Sequence, residues 1–134
     1  MPLPSANRPP RRAAGGLTAR TEGKGYRMQI FVPRETHPGE RRVALVPDDA
    51  RKLATRGASI AVEAGMGLSA RHADAAYEAA GATVTGDRGA MLGAADVILR
   101  LRKPPAEEVG LLKPGAVHIS YLDPFNEGEL VDAM

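Results

Sequence analysis

Any chemistry in this chain of 134 residues has to come from arginines and carboxylates, because the sequence holds no cysteine and only three histidines. Without cysteine there are no disulfides, thiolate metal sites or cysteine nucleophiles. His37, His72 and His118 lie far apart and off helical ligand spacing, which argues against a zinc site. The densest run of ionisable side chains is Pro33-Arg-Glu-Thr-His-Pro-Gly-Glu-Arg-Arg-Val-Ala-Leu-Val-Pro47. It follows an apolar run that reads as a strand. It is therefore expected at a strand's carboxyl end, where open α/β sheets bind ligands. Arg34, Arg41 or Arg42 could there grip a carboxylate or phosphate through two parallel hydrogen bonds. The same arginines could instead pair with Glu35 and Glu40 in a solvated loop, and spacing alone favours that.

A second cationic group is Arg100-Leu-Arg-Lys-Pro104. Strand alternation predicts Arg100 and Arg102 on one face, with Leu99 and Leu101 on the other. Such a strand end suits an anionic ligand, or else protects a sheet edge with charge. A third group, Gly65-Met-Gly-Leu-Ser-Ala70, fits the dinucleotide pattern G-x-G-x-x-A. Asp87 lies 20 residues beyond Gly67, near the distance of a ribose-binding acid. But the strand before these glycines is not the first of the unit, and the helix after them begins late. A turn that needs glycine is the simpler reading.

The elements that must position these groups alternate between strand and helix. Strands are expected at 28–32, 59–63, 82–85, 96–101 and 116–122, each an apolar run bounded by glycine, proline or polar residues. Pro47 at a first helical position, with Asp48 and Asp49 behind it, opens a helix to Arg56 that Gly57 stops. Further helices are expected at 72–80, 87–94 and 106–112, and another from Asn126 or Glu127 onward. Strand–helix alternation implies parallel strands in a layered, Rossmann-like or flavodoxin-like α/β sheet with flanking helices. The last helix would have about two turns, which predicts that the sequence ends inside an element and the domain is incomplete.

Composition bounds the rest. The chain is one domain in size, too short to hold substrate and dinucleotide in separate halves. No stretch has the roughly 18 apolar residues of a membrane span. Net charge is +2 and the isoelectric point about 9.2, but the basicity is local. Residues 1–27 carry net +5 and residues 28–134 carry net −3. Nucleic acid is therefore not an expected partner of the body. The first 27 residues hold Pro2, Pro4, Pro9, Pro10 and four glycines but few sizeable apolar side chains. They are expected to form a disordered basic tail, with Met28 as the functional start.

The segment Met28-Gln-Ile-Phe-Val-Pro-Arg-Glu-Thr-His-Pro-Gly-Glu-Arg-Arg-Val-Ala-Leu-Val-Pro47 resembles the opening of the alanine dehydrogenase and nicotinamide nucleotide transhydrogenase family. The resemblance continues through Val62–Gly67, Tyr77–Ala82, Ala95–Pro104 and Leu111–Gly115, and so covers residues 28–134. It implies the amino-terminal domain of such an enzyme, with the dinucleotide fingerprint in a second domain absent here. It also implies NAD in the full-length parent and no cofactor bound by this chain alone. By resemblance, Arg42 matches the family's carboxylate-binding arginine. Arg102 stands where alanine dehydrogenases carry a lysine that contacts pyruvate, and Asp123 where they carry a histidine acid–base. An ordinary aspartate is a poor proton donor near neutral pH. Both departures weigh against an alanine dehydrogenase. His118, inside a strand, reads as packing. The Pro-Gly-Glu of the first loop is similar to alpha subunits of the proton-translocating transhydrogenase. That resemblance implies hydride exchange between NAD(H) and NADP(H), a beta subunit and membrane components as partners, and a homodimer of the full-length form. It implies a cytoplasmic location, peripheral at the membrane face. No catalytic residue is assigned, and the isolated chain is expected to be inactive. An amino-acid dehydrogenase fragment and a non-catalytic remnant are the alternatives.

Overall fold

The computed structural model describes residues 25–134. Most of the expected tail, residues 1–24, lies outside them. Of its last three residues, Tyr26 is exposed, and its phenol is raised in pKa by a hydrogen bond to Asp96.

Five parallel strands form one sheet in the order β3-β2-β1-β4-β5, giving the expected layered α/β fold. They are β1 (Gln29–Val32), β2 (Ser59–Glu63), β3 (Thr83–Thr85), β4 (Val97–Arg102) and β5 (Val117–Tyr121). The helices are α1 (Pro47–Thr55), α2 (Asp74–Ala79), α3 (Arg88–Ala94), α4 (Ala106–Val109) and α5 (Gly128–Ala133).

Side-chain alternation along the strands divides the core between the two faces. Ile30 and Val32 of β1 sit in register with Ile60 and Val62 of β2. Together with Leu45, Met66 and Tyr77 they form the larger cluster, with Ala50 of α1 buried among them. Phe31, Ala61 and Ile98 point to the other face and meet Leu92 of α3 and Ala95. Each large apolar side chain so buried contributes about 1.5–3 kcal/mol. Within the larger cluster, Tyr77 also donates its hydroxyl hydrogen to the Leu45 carbonyl at 2.8 Å, so its polar end is satisfied.

Pro47 opens α1 behind the extended Val46, and Gly57 ends it at a φ of +94°, where a side chain would be strained. Each helix begins later or ends earlier than the sequence pattern predicts, and in three the cause is visible. The expected helix at 72–80 begins only at Asp74. A 3-10 turn at Leu68–Ala70 and the left-handed Arg71 come first. The helix expected from Asp87 begins at Arg88, because Asp87 caps it by accepting the Ala90 N–H at 3.0 Å. The helix expected at 106–112 ends at Val109, where Gly110 caps it, and isolated turns carry the chain on.

Candidate functional site

The strand order reverses between β1 and β4. At such a switch point the connections leave in opposite directions and open a crevice at the carboxyl ends of the strands. The polar loop after β1 crosses this place. Glu35 anchors it there, because its carboxylate accepts the backbone N–H groups of Leu101 and Arg102 at the end of β4. Glu40 then gathers two arginines. Its oxygens accept Arg42 Nε and Nη2, each at 2.8 Å, the backbone N–H of Arg42 at 3.0 Å, and Arg102 Nε at 2.8 Å. The Glu40 side chain is only 3% exposed, whereas those of Arg42 and Arg102 are 65% and 45% exposed. The Arg42 side chain, then its backbone N–H, and finally Arg102 outweigh burial and hold the Glu40 carboxyl far below the usual carboxylate range.

A second network ties the neighbouring strand ends together. Glu108 of α4 accepts Arg88 Nε at 2.6 Å and Arg100 Nη1 at 2.7 Å. Arg88 Nη1 reaches Glu63 at the end of β2, at 2.7 Å, and the carbonyl of Arg34 at 3.0 Å. The same Glu63 oxygen accepts the backbone N–H of Arg34 at 2.7 Å. Burial opposes ionisation of Glu108, but its two arginines prevail and its pKa is lowered. His118 of β5, paired in register with Ile98, lies beside this network. Burial first, then the Arg100 charge, pushes its pKa down to about 4 against the pull of Glu108. His118 Nε2, Arg100 Nε and Arg88 Nη2 are buried without a hydrogen-bond partner.

Of the residues singled out from the sequence, Arg42 and Arg102 are brought together, on Glu40. Asp123 is not joined to them. It adopts a left-handed φ of +51°, and its two oxygens accept Asn126 Nδ2 at 2.9 and 3.1 Å within its own turn. Short polar residues tolerate that conformation. The expected strand alternation at Arg100 and Arg102 is corrected. The β4–β5 register shifts between Leu99 and Arg102, so Arg100 turns to Glu108 while Arg102 turns to Glu40. Pairing of the loop arginines with both glutamates is half correct. Glu40 holds Arg42, but Glu35 holds backbone. Glu63, Arg88 and Glu108 escaped the sequence reading. Arg88 meets Glu108 across 20 positions and Glu63 across 25, beyond any local spacing signal.

The glycine segment does not fit a dinucleotide. The Gly65 N–H, which would face a phosphate, donates to Asp74 at 2.9 Å. Gly67 is wedged so tightly that a Cβ would lie 2.5 Å from the Tyr77 ring and 2.6 Å from the His72 carbonyl. Asp87, the ribose-spaced acid, is engaged as the α3 cap. These glycines are there for a turn and a close approach. Among the described residues no group of three or more histidines or carboxylates could hold a metal ion, and no helix is long and apolar enough to cross a membrane.

Residues 31–134 match the sequence profile of the alanine dehydrogenase/PNT N-terminal domain. The chain belongs to that family. An NAD(P) transhydrogenase subunit alpha from Cereibacter sphaeroides is 38% identical over 105 residues, covering 78% of this chain and 20% of that protein. An alanine dehydrogenase from Halomonas elongata is 42% identical over 95 residues, covering 71% of this chain and 26% of that protein. The crystal structure of a transhydrogenase from Sinorhizobium meliloti superposes with a TM-score of 0.74 at 40% identity, over 79% of this chain and 30% of that one. This member of the alanine dehydrogenase/PNT family thus spans less than a third of the length of these relatives.

Proposed function

We propose that this domain is the amino-terminal portion of an NAD(P) transhydrogenase alpha subunit. In its full form that protein exchanges hydride between NAD(H) and NADP(H), coupled to proton translocation. Its NAD belongs to a second domain, and its partners are a beta subunit, membrane components and a second copy of itself. The nicotinamides carry the chemistry, and this domain supplies shape and position. Its location is then cytoplasmic, at the membrane face. Arg42, Arg102 and Asp123 are the positions of this chain that the family resemblance would assign to the substrate side of the full protein.

The observation that carries this reading is Asp123. Oxidation of an amino acid to an imino acid and then a keto acid requires a group that trades protons with the substrate. Alanine dehydrogenases have a histidine at this position. Here an aspartate stands there with both oxygens held by Asn126. The alternative, an NAD-dependent amino-acid dehydrogenase, is favoured by one observation, the convergence of Arg42 and Arg102 on a carboxylate.

The two reactions separate the readings. The longer protein that carries this domain should reduce an NADP analogue with NADH and should not oxidise alanine. Alanine oxidation would overturn the proposal. The 134-residue chain by itself should turn over neither substrate. We also propose residues 28–134 as the folding unit. A chain beginning at Met28 should unfold within about 4 °C of the full chain, a shift worth about 1 kcal/mol at this size.

A further inference from the structure

β1 stops at Val32, and the buried Pro33 that follows has no N–H with which to continue the ladder. The next residue, Arg34, is nevertheless held as a strand residue would be. In a parallel pair one residue sends its N–H and its C=O to the same neighbouring strand. Here the Arg34 N–H donates to a Glu63 carboxylate oxygen at 2.7 Å, and the Arg34 carbonyl accepts Arg88 Nη1 at 3.0 Å. Arg88 Nη1 also donates to that Glu63 oxygen at 2.7 Å, which closes the three contacts into a ring. A carboxylate at the end of β2 and a guanidinium at the first residue of α3 thus supply the acceptor and the donor of a neighbouring strand. Both side chains are largely buried, at 14% and 19% exposure, so water competes little for these bonds. Among the described residues the Arg34 backbone has no other partner. Arg88 is itself fixed from behind, because its Nε donates to Glu108 of α4 at 2.6 Å. Glu35 points the opposite way, to the backbone of β4. Two consecutive residues therefore tie the loop to opposite sides of β1.

We infer that Glu63 and Arg88 form a clamp that stands in for the missing ladder at Arg34, and that Arg88 is the positioning residue that sets how the loop 34–42 leaves the sheet. The course of that loop then depends on α3, an element 54 positions away in the chain. The clamp needs a guanidinium. Its rigid planar fork offers Nη1 to two acceptors while Nε serves Glu108, and one ammonium nitrogen cannot reach all three. Without Arg88 the Arg34 carbonyl loses its donor and Glu63 its cation, and Glu35 holds the start of the loop alone. Nothing in this clamp depends on which reaction the longer protein runs.

The test is hydrogen exchange on the isotopically labelled 134-residue chain, read amide by amide by NMR. The N–H groups of Phe31 and Val62, inside the sheet, are the reference, because a loss of global stability alone speeds them too. In Arg88→Leu the Arg34 N–H should exchange about tenfold faster relative to that reference, the scale of one charge-assisted hydrogen bond. The Leu101 N–H, which Glu35 holds across 66 positions, should accelerate with it, because both anchors belong to one loop. If that variant fails to fold, Arg88→Lys keeps the charge but not the fork, and should give the same selective acceleration at both amides. Unchanged relative exchange at Arg34 in the variant that folds would overturn the clamp. Faster exchange at Arg34 with Leu101 unchanged would confine the clamp to one residue and overturn the positioning role. Equal acceleration of all four amides would make Arg88 a general stabiliser of the fold and overturn both.

Discussion

On the face of the sheet that carries α1 and α2, Ile30, Val32, Ile60 and Val62 are 7% exposed or less. On the same face at the other end of the sheet, Val117, Ile119 and Tyr121 of β5 are 54%, 50% and 75% exposed. Both regions show the apolar alternation of a half-buried strand, and register joins them through Val97 and Leu99 of β4. What differs is the cover. The nine-residue α1 packs on β2 and α2 packs on β3, with Tyr77 filling the space between helix and sheet. The end of β4 is tied to its surroundings by charge, through Glu108, Arg88 and Arg100. A covered apolar face is stabilised in proportion to area. A buried ion network repays its desolvation only while every member is present. The first region should therefore answer to volume and the second to charge and pH.

The largest effect is expected in the covered region. Tyr77→Ala empties the space under α2 and strands the Leu45 carbonyl, and should destabilise the domain by about 3–5 kcal/mol in urea unfolding. A loss under about 1 kcal/mol would show that the helices do not seal that face. In the charged region, Glu108→Ala leaves Arg100, the most buried cation among the described residues, without its carboxylate. Allowing for partial exposure, the expected loss is about 2–3 kcal/mol, shrinking if Arg100→Leu is added. Additive effects of the two changes would mean that the network is not one unit.

The pH dependence comes next in size. His118 has its pKa lowered to about 4 from 6.5. The unfolded chain therefore binds a proton that the folded chain refuses between those values. Stability is fully present above pH 6.5 and falls as the pH drops towards 4. After discounting for partial exposure, the fall is on the order of 1–2 kcal/mol. Replacing His118 by Gln should flatten this slope in a series of unfolding curves. A slope that survives unchanged would assign the acid sensitivity to the carboxylates instead. The smallest effect belongs to the open edge. Ile119→Glu should change stability by no more than about 0.5 kcal/mol, because the side chain already meets water. A large loss would mean that β5 is covered in solution.

Much of the fold was legible as local signal. Pro47 and Gly57 bound one helix, and Ser59–Glu63 is a strand with the limits its residues predict. These features depend on neighbours a few positions away, where proline, glycine and apolar periodicity act directly. The helices after Ala70 and before Gly110 were over-read, because a turn and a helical segment share the same local residues until the packing of Gly67 and the cap at Gly110 decide between them. At the site, residue types marked Arg42 and Arg102 as cationic groups at strand ends, and the order of motifs pointed to the family. Partner choice was decided only in three dimensions. Glu40 meets Arg102 across 62 positions, and Glu35 meets the backbone of Leu101 across 66. Those meetings depend on β4 lying beside β1 and on an irregular register near its end. Strand order and register are set by the burial of whole faces, a property of the assembled sheet to which no short run of residues corresponds.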